Sequence, residues 1–223
     1  MNLIEYPDRD FLFLRVADLI AGELRQALST QDRVTFAVPG GTTPGPVFDT
    51  LAALPLDWER VDVMLCDERW VPESSERSNG ALVRRRLLTG PAAEASFHPF
   101  WRDTGYPEDA LEELDAEIAK VLPVHVLLLG MGDDMHTASI FPDGDRLAEA
   151  LAADAPSLLP MRRAGEDEQR ITLSMRELSR AMHIHVLITG ASKKEALIRA
   201  ASLPPEQAPI AALLSTATFH WAE

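Results

Sequence analysis

One cysteine, Cys66, is all this chain has, so no intrachain disulfide can form, and a reducing cytoplasm is the simplest setting for it. Basic residues are also in short supply. Against 35 Asp and Glu stand 21 Lys and Arg, for a net charge of -14. Nucleic-acid binding needs a basic field and is therefore not expected. An anionic substrate remains compatible, provided a few local cations work against the overall field. No apolar run approaches the roughly 20 residues needed to cross a bilayer, and the acidic start "MNLIEYPDRDFLFLRVADLI" has no basic n-region of a secretory signal. Internal repeats, low-complexity tracts and linkers are missing too. So are a Walker A loop, a GxGxxG turn and a GxSxG nucleophile elbow.

The composition that remains is 46% hydrophobic and 25% charged over 223 residues. That is enough to bury a sizeable core, and a single domain spanning residues 1–223 is expected. Helical spacing marks Leu12, Val16, Leu19, Ile20, Leu24 and Leu28. Short apolar runs at 33–38, 61–70 and 125–130, with "RITLS" (170–174) and "HIHVLITG" (183–190), read as strands. Between them, 44–54, 78–88, 107–122, a short stretch around "MRELSRAM" and 192–202 read as helices, while the final "IAALLSTATFHWAE" stays unassigned. Strands that are near-continuously apolar belong in a parallel sheet covered on both faces. The alternation predicts a doubly wound α/β fold, whose ligands bind at the carboxyl ends of the strands.

Chemistry-bearing residues collect at those ends. "VPGGTTPG" (38–45) follows a strand and opens a helix. Gly40 and Gly41 free backbone N–H groups, Thr42 and Thr43 add hydroxyls, and the helix N-terminus favours an anion such as phosphate. A plain strand-to-helix turn, capped by Thr42 or Thr43 with Pro44 in the first turn, reads the same residues equally well. "CDERWVP" sets Asp67, Glu68 and Arg69 at another strand end, where Arg69 can hold a phosphate or an oxyanion or simply close a salt bridge. In "LLLGMGDDMHTASIFP" (127–142), His136 can act as a general base near neutral pH, oriented by Asp133 or Asp134. The two acids and the histidine lack the further His or Cys ligands of a metal site. "LITGASKKEAL" (187–197) places Lys193 and Lys194 in a helix first turn, against the dipole, where binding phosphate is one reason for a lysine and solvation another. Cys66, inside a strand, reads as a buried structural thiol.

Taken in order, "PGGTTP", "CDERWVPESSERSN", "LLLGMGDDMHTASIFP", "RITLSMREL" and "ITGASKKEAL" resemble the 6-phosphogluconolactonases, relatives of glucosamine-6-phosphate deaminase, from about residue 34 to 200. The resemblance implies a three-layer α/β/α domain with a mostly parallel sheet of the sugar-phosphate isomerase/deaminase kind. It implies hydrolysis of 6-phospho-D-glucono-1,5-lactone to 6-phosphogluconate, a step of the pentose phosphate pathway. It implies no metal and no organic cofactor, a small-molecule substrate as the partner, no membrane, and a monomer or homodimer. His136 falls on the general base, Asp134 on the acid two residues before it, and Arg69 on a site arginine. Gly40, Gly41, Thr42 and Thr43 fall on the phosphate loop and Lys193 on the phosphate lysine. Asp67 and Arg170 complete the implied substrate set. One position departs: Met135 stands where the family has glycine, and an ordinary backbone conformation is expected there. A glucosamine-6-phosphate deaminase would carry an aromatic in place of Arg69 and a Glu-bearing segment in place of "SIFP". A sugar-phosphate sensor would need a DNA-binding unit, for which the residues before the first strand are too few and too acidic.

Overall fold

The computed structural model describes residues Met1–Glu223. Seven strands form one sheet, in the order β1 (Asn2–Glu5), β10 (Thr218–Ala222), β9 (His183–Thr189), β6 (Val126–Leu129), β2 (Val34–Val38), β3 (Val61–Leu65) and β5 (Ser96–His98). Every neighbouring pair runs parallel. The four central strands owe their apolar sequences to cover on both faces: all residues of β2, β3 and β6 are buried. Helix α1 (Arg9–Leu28) lies on one face with α2 (Gly45–Ala52) and touches β2, β6 and β10. Its buried stripe is Leu12, Val16, Ile20 and Leu24, and Asp8 caps it by accepting from Phe11 N at 2.7 Å, a contact worth about 1 kcal/mol. The β9–α7–β10 crossover, with α7 at Ala191–Ala200, winds in the opposite direction along the sheet. Right-handedness therefore puts α7 on the other face, giving the three-layer, doubly wound arrangement.

Strand order reverses between β2 and β6. From β2 the chain moves outward through β3 and β5; from β6 it moves the other way through β9 and β10. A crevice at the carboxyl ends of β2 and β6 follows from that reversal.

The single strand expected at 61–70 is two strands. Cys66 is the break: its N–H donates to Val38 O of β2, and its carbonyl accepts from Leu173 N, both at 2.9 Å. Leu173 ends β8 (Arg170–Leu173), so the chain leaves the parallel sheet at Cys66 and continues as β4 (Asp67–Arg69) in a second, antiparallel sheet, β4–β8–β7, with β7 at Leu158–Met161. The Cys66 thiol is fully buried, and burial pushes its pKa well up.

Other differences are local. Helix α2 is capped by Pro44, with no side-chain hydrogen bond, instead of by Thr42 or Thr43. The 107–122 stretch begins as a 3-10 turn over Pro107–Ala110 before α4 (Leu111–Ile118). The unassigned end is a 3-10 turn at Pro209–Leu213 followed by β10. Helix α3 (Asn79–Arg86) starts at the Ser78 cap, and α5 (Leu147–Leu151) and α6 (Met175–Ser179) complete the helices.

Candidate active site

A cavity of about 320 Å³ opens at the topological reversal. It is lined by the 39–44 turn after β2, by Asp67 and Arg69 of β4, by 129–132 after β6, by His136 and Arg170, by the end of β9, and by Lys193 of α7. Of the site residues that the resemblance implies, all line it except Asp134, whose carboxylate meets the His136 ring.

The turn after β2 cannot carry larger residues. Gly41 sits at φ 84°, in the left-handed region, and a Cβ at Gly40 would collide with the Asn79 amide. Because Pro44 caps α2 without a side chain, the Thr42 and Thr43 hydroxyls make no hydrogen bond to protein and stay available at the helix N-terminus. In sequence Asn79 only stands at the start of the 78–88 helix. Its side chain instead donates to Asp67 O at 2.8 Å and accepts from Arg69 Nη1 at 3.1 Å, bracing the turn against β4.

The "DER" triplet divides its labour. Asp67 is buried and accepts from Ser139 Oγ at 2.5 Å. Glu68 points away from the cavity and serves α3: its carboxylate accepts from Asn79 N and Gly80 N, each at 2.8 Å, and from Ser78 Oγ at 3.0 Å. Burial raises its pKa, and those backbone donors oppose the rise. Arg69 donates to Arg77 O at 2.7 Å as well as to Asn79. Across the antiparallel ladder its register partner is Arg170, which pairs with Glu168 at 2.8 Å. Burial, and then the Arg69 charge, lower the Arg170 pKa. The Nε atoms of both arginines are buried with no partner. Donors left unmade in this way cost about 1–3 kcal/mol each, which marks the pair as a place built for something other than stability.

Asp133 and Asp134 diverge. Asp134 Oδ1 meets His136 Nδ1 at 2.5 Å, while Asp133 reaches the other way to Lys193 Nζ at 3.2 Å. Sequence left the choice of His136 partner open between them; the contact is Asp134's. Their divergence also removes the idea of a joint metal cluster. With Nδ1 occupied, the other ring nitrogen of His136 has no protein partner. Burial alone would raise Asp134, but the His136 hydrogen bond and charge, helped by Arg163, bring it down to about 2. A Cβ at Gly132 would strike both the His136 ring and the Asp134 carboxylate, so the pair closes only over glycine.

Met135 corrects the expectation of ordinary backbone: its φ is 65°. A non-glycine residue there costs about 1–3 kcal/mol and persists only where its surroundings fix it. Two backbone bonds do so, Met135 N to Gly132 O at 3.0 Å and Ile210 N to Met135 O at 3.1 Å, and the side chain packs against the core. Of the two adjacent lysines, only Lys193 reaches the cavity. Lys194 pairs with Glu5 at 2.7 Å and lies over the Trp221 ring.

Residues 7–221 match the family described as glucosamine-6-phosphate isomerases/6-phosphogluconolactonase. The chain belongs to that family. A 6-phosphogluconolactonase of Mesorhizobium japonicum is 40% identical over 218 residues, covering 97% of this chain and 91% of the relative. One from Pseudomonas aeruginosa is 41% identical over 206 residues, covering 91% and 87%. The crystal structure of a 6-phosphogluconolactonase from Shewanella baltica superposes with a TM-score of 0.96 at 28% identity, covering 100% of this chain and 98% of that one. Family membership and the strand-end cavity agree on fold.

Proposed function

We propose that this chain is a 6-phosphogluconolactonase, hydrolysing 6-phospho-D-glucono-1,5-lactone to 6-phosphogluconate in the pentose phosphate pathway, with His136 as general base. The observation that carries the mechanism is the Asp134–His136 pair, whose free imidazole nitrogen belongs to a residue lining a cavity that also holds Arg69, Arg170 and Lys193.

The lactone carbonyl is already electrophilic, so water activated by a base suffices. His136 takes a proton from water through its free nitrogen while Asp134 holds the ring and stabilises the imidazolium. The tetrahedral oxyanion collapses and expels the ring oxygen, to which His136 returns the proton. Such acid–base help is worth on the order of 10²–10⁴-fold. Lys193, Arg69 and the Gly40–Thr43 turn grip the phosphate, and Asp67 and Arg170 complete the contacts, which fixes the carbonyl against the base. Asp133 must release Lys193 as the phosphate arrives. Against the deaminase reading, the "SIFP" segment offers no carboxylate: Ser139 is committed to Asp67, and Ile140 and Phe141 are buried. The proposal includes a cytoplasmic setting and a monomer or homodimer. No helix is long and apolar enough to cross a membrane.

The test mixes the protein with freshly prepared lactone and follows acid release above the spontaneous rate, beside ammonia release from glucosamine 6-phosphate. Acid release without ammonia is expected, with a loss of at least about 10²-fold in His136→Ala. Acid release at the spontaneous rate refutes the activity. Wild-type turnover in the variant removes His136 from the mechanism.

A further inference from the structure

We infer that Arg163 is a positioning residue for the reaction, its guanidinium fixing Asp134 and, through Asp134, the His136 imidazole. The inference rests on the reading of His136 as general base. Asp134 divides its two oxygens: Oδ1 meets the imidazole at 2.5 Å, and Oδ2 meets Arg163 Nη2 at 3.1 Å. The carboxylate torsion of an aspartate is broad and two-fold, so one hydrogen bond to a histidine leaves the plane of the pair free to swing. The second tie, on the opposite oxygen, removes that freedom.

Phe141 makes the arrangement a unit. The His136 ring packs on it with centroids 4.5 Å apart, and the Arg163 guanidinium lies 4.6 Å from the same centroid. One aromatic ring therefore sets the position of both partners of Asp134. Arg163 is anchored in turn by Asp143, 3.0 Å from its Nε, with Glu166 3.8 Å from Nη1. The other charges around this group are Arg170, 5.1 Å from the Phe141 centroid, and the Asp133–Lys193 pair on the α7 side. Arg163 does not line the cavity, so its action on the reaction goes through Asp134 and not through the substrate. The segment that carries it, "RRAGEDEQR", reads as a plain loop in sequence.

The two roles separate in kinetics. A positioning residue outside the cavity changes kcat and leaves KM alone. Removing its positive charge also favours the protonated imidazole, so the acid limb of the pH profile moves to higher pH. The experiment measures kcat, KM and the pH profile for Arg163→Gln and Arg163→Lys, with His136→Ala alongside. Arg163→Met, which keeps the stem over Phe141, is the second neutral variant should glutamine prevent folding. The neutral variants are expected to lose about tenfold to a hundredfold in kcat with KM within about twofold, and to shift the acid limb upward. Arg163→Lys retains the charge but not the planar fork, so it is expected to restore the limb and part of kcat. With His136→Ala inactive, wild-type kcat and limb in the neutral variants overturn the inference. So does a kcat loss with an unmoved limb, or a parallel rise in KM. Turnover retained in His136→Ala instead overturns the base assignment on which the inference stands.

Discussion

Arg69 and Arg170 face each other across the antiparallel β4–β8 ladder, each with a buried Nε that no protein acceptor reaches. Of these two neighbouring cations in a chain of net charge -14, Arg170 pairs with Glu168 and Arg69 donates to the backbone of Arg77. An anion between them relieves the repulsion, and a ligand that binds only the folded state stabilises it by mass action.

Saturating 6-phosphogluconate should therefore stabilise the protein. At a hundredfold excess over Kd the gain is about 2.7 kcal/mol, or roughly 5–10 °C in Tm for a chain of this size. Thermal unfolding with and without the compound checks it. Arg69→Ala and Arg170→Ala should each lose most of the shift, and a full shift in both variants would take the arginine pair out of the binding site.

Gly132 makes the second prediction. Its missing Cβ is the space in which the His136 ring and the Asp134 carboxylate meet. Gly132→Ala should cost about 10²-fold in kcat by misplacing the base, with the circular dichroism spectrum unchanged because Gly132 lies in a loop after β6 and not within the sheet. Activity within a factor of two of wild type would show that the pair tolerates displacement.

Much of this was legible in sequence because β2, β3, β6 and β9 are covered on both faces and so spell themselves as mainly apolar runs, interrupted by Thr35, Asp62 and His185, with the residues of the cavity following at the strand ends. The second sheet was legible only in part: β8 reads as the strand "RITLS", while β7 is missed and β4 merges into the 61–70 run. What divides β4 from β3 is a pair of long-range hydrogen bonds at Cys66 that leave no local mark. Likewise Asn79 reads as a helix cap and Arg163 as part of a charged loop, because their partners, Arg69 and Asp134, become neighbours only through the tertiary fold. Met135 was misread for the opposite reason. Local propensity favours φ < 0 for methionine, and the backbone bonds to Gly132 and Ile210 override it.

That override is measurable. At φ 65° a β-branched side chain is disfavoured more than methionine, so Met135→Val should destabilise the protein by about 1–3 kcal/mol. In Met135→Gly, relief of strain opposes lost packing and added chain entropy, so the net change should stay within about 1 kcal/mol. Urea midpoints at constant m-value give both numbers. A valine variant as stable as wild type would mean that the loop relaxes to an ordinary conformation.

Acid stability depends on the same corner. Asp134 is held at about 2 against an ordinary 3.8: burial pushes it up, and the His136 hydrogen bond and charge, with Arg163, push it further down. A folded-state pKa below the unfolded one means that the unfolded chain binds more protons in between. The contribution is thus complete above about pH 4 and fades as the pH falls towards 2. Its size is limited because the Asp134 side chain is 33% exposed. Asp134→Asn should be less stable than wild type near neutrality, and the gap should close on acidification through that window. Urea unfolding of both proteins from neutral pH down to about pH 2 follows the difference. Two curves that stay parallel throughout would show that the Asp134 carboxylate gains nothing from its partners in the folded state.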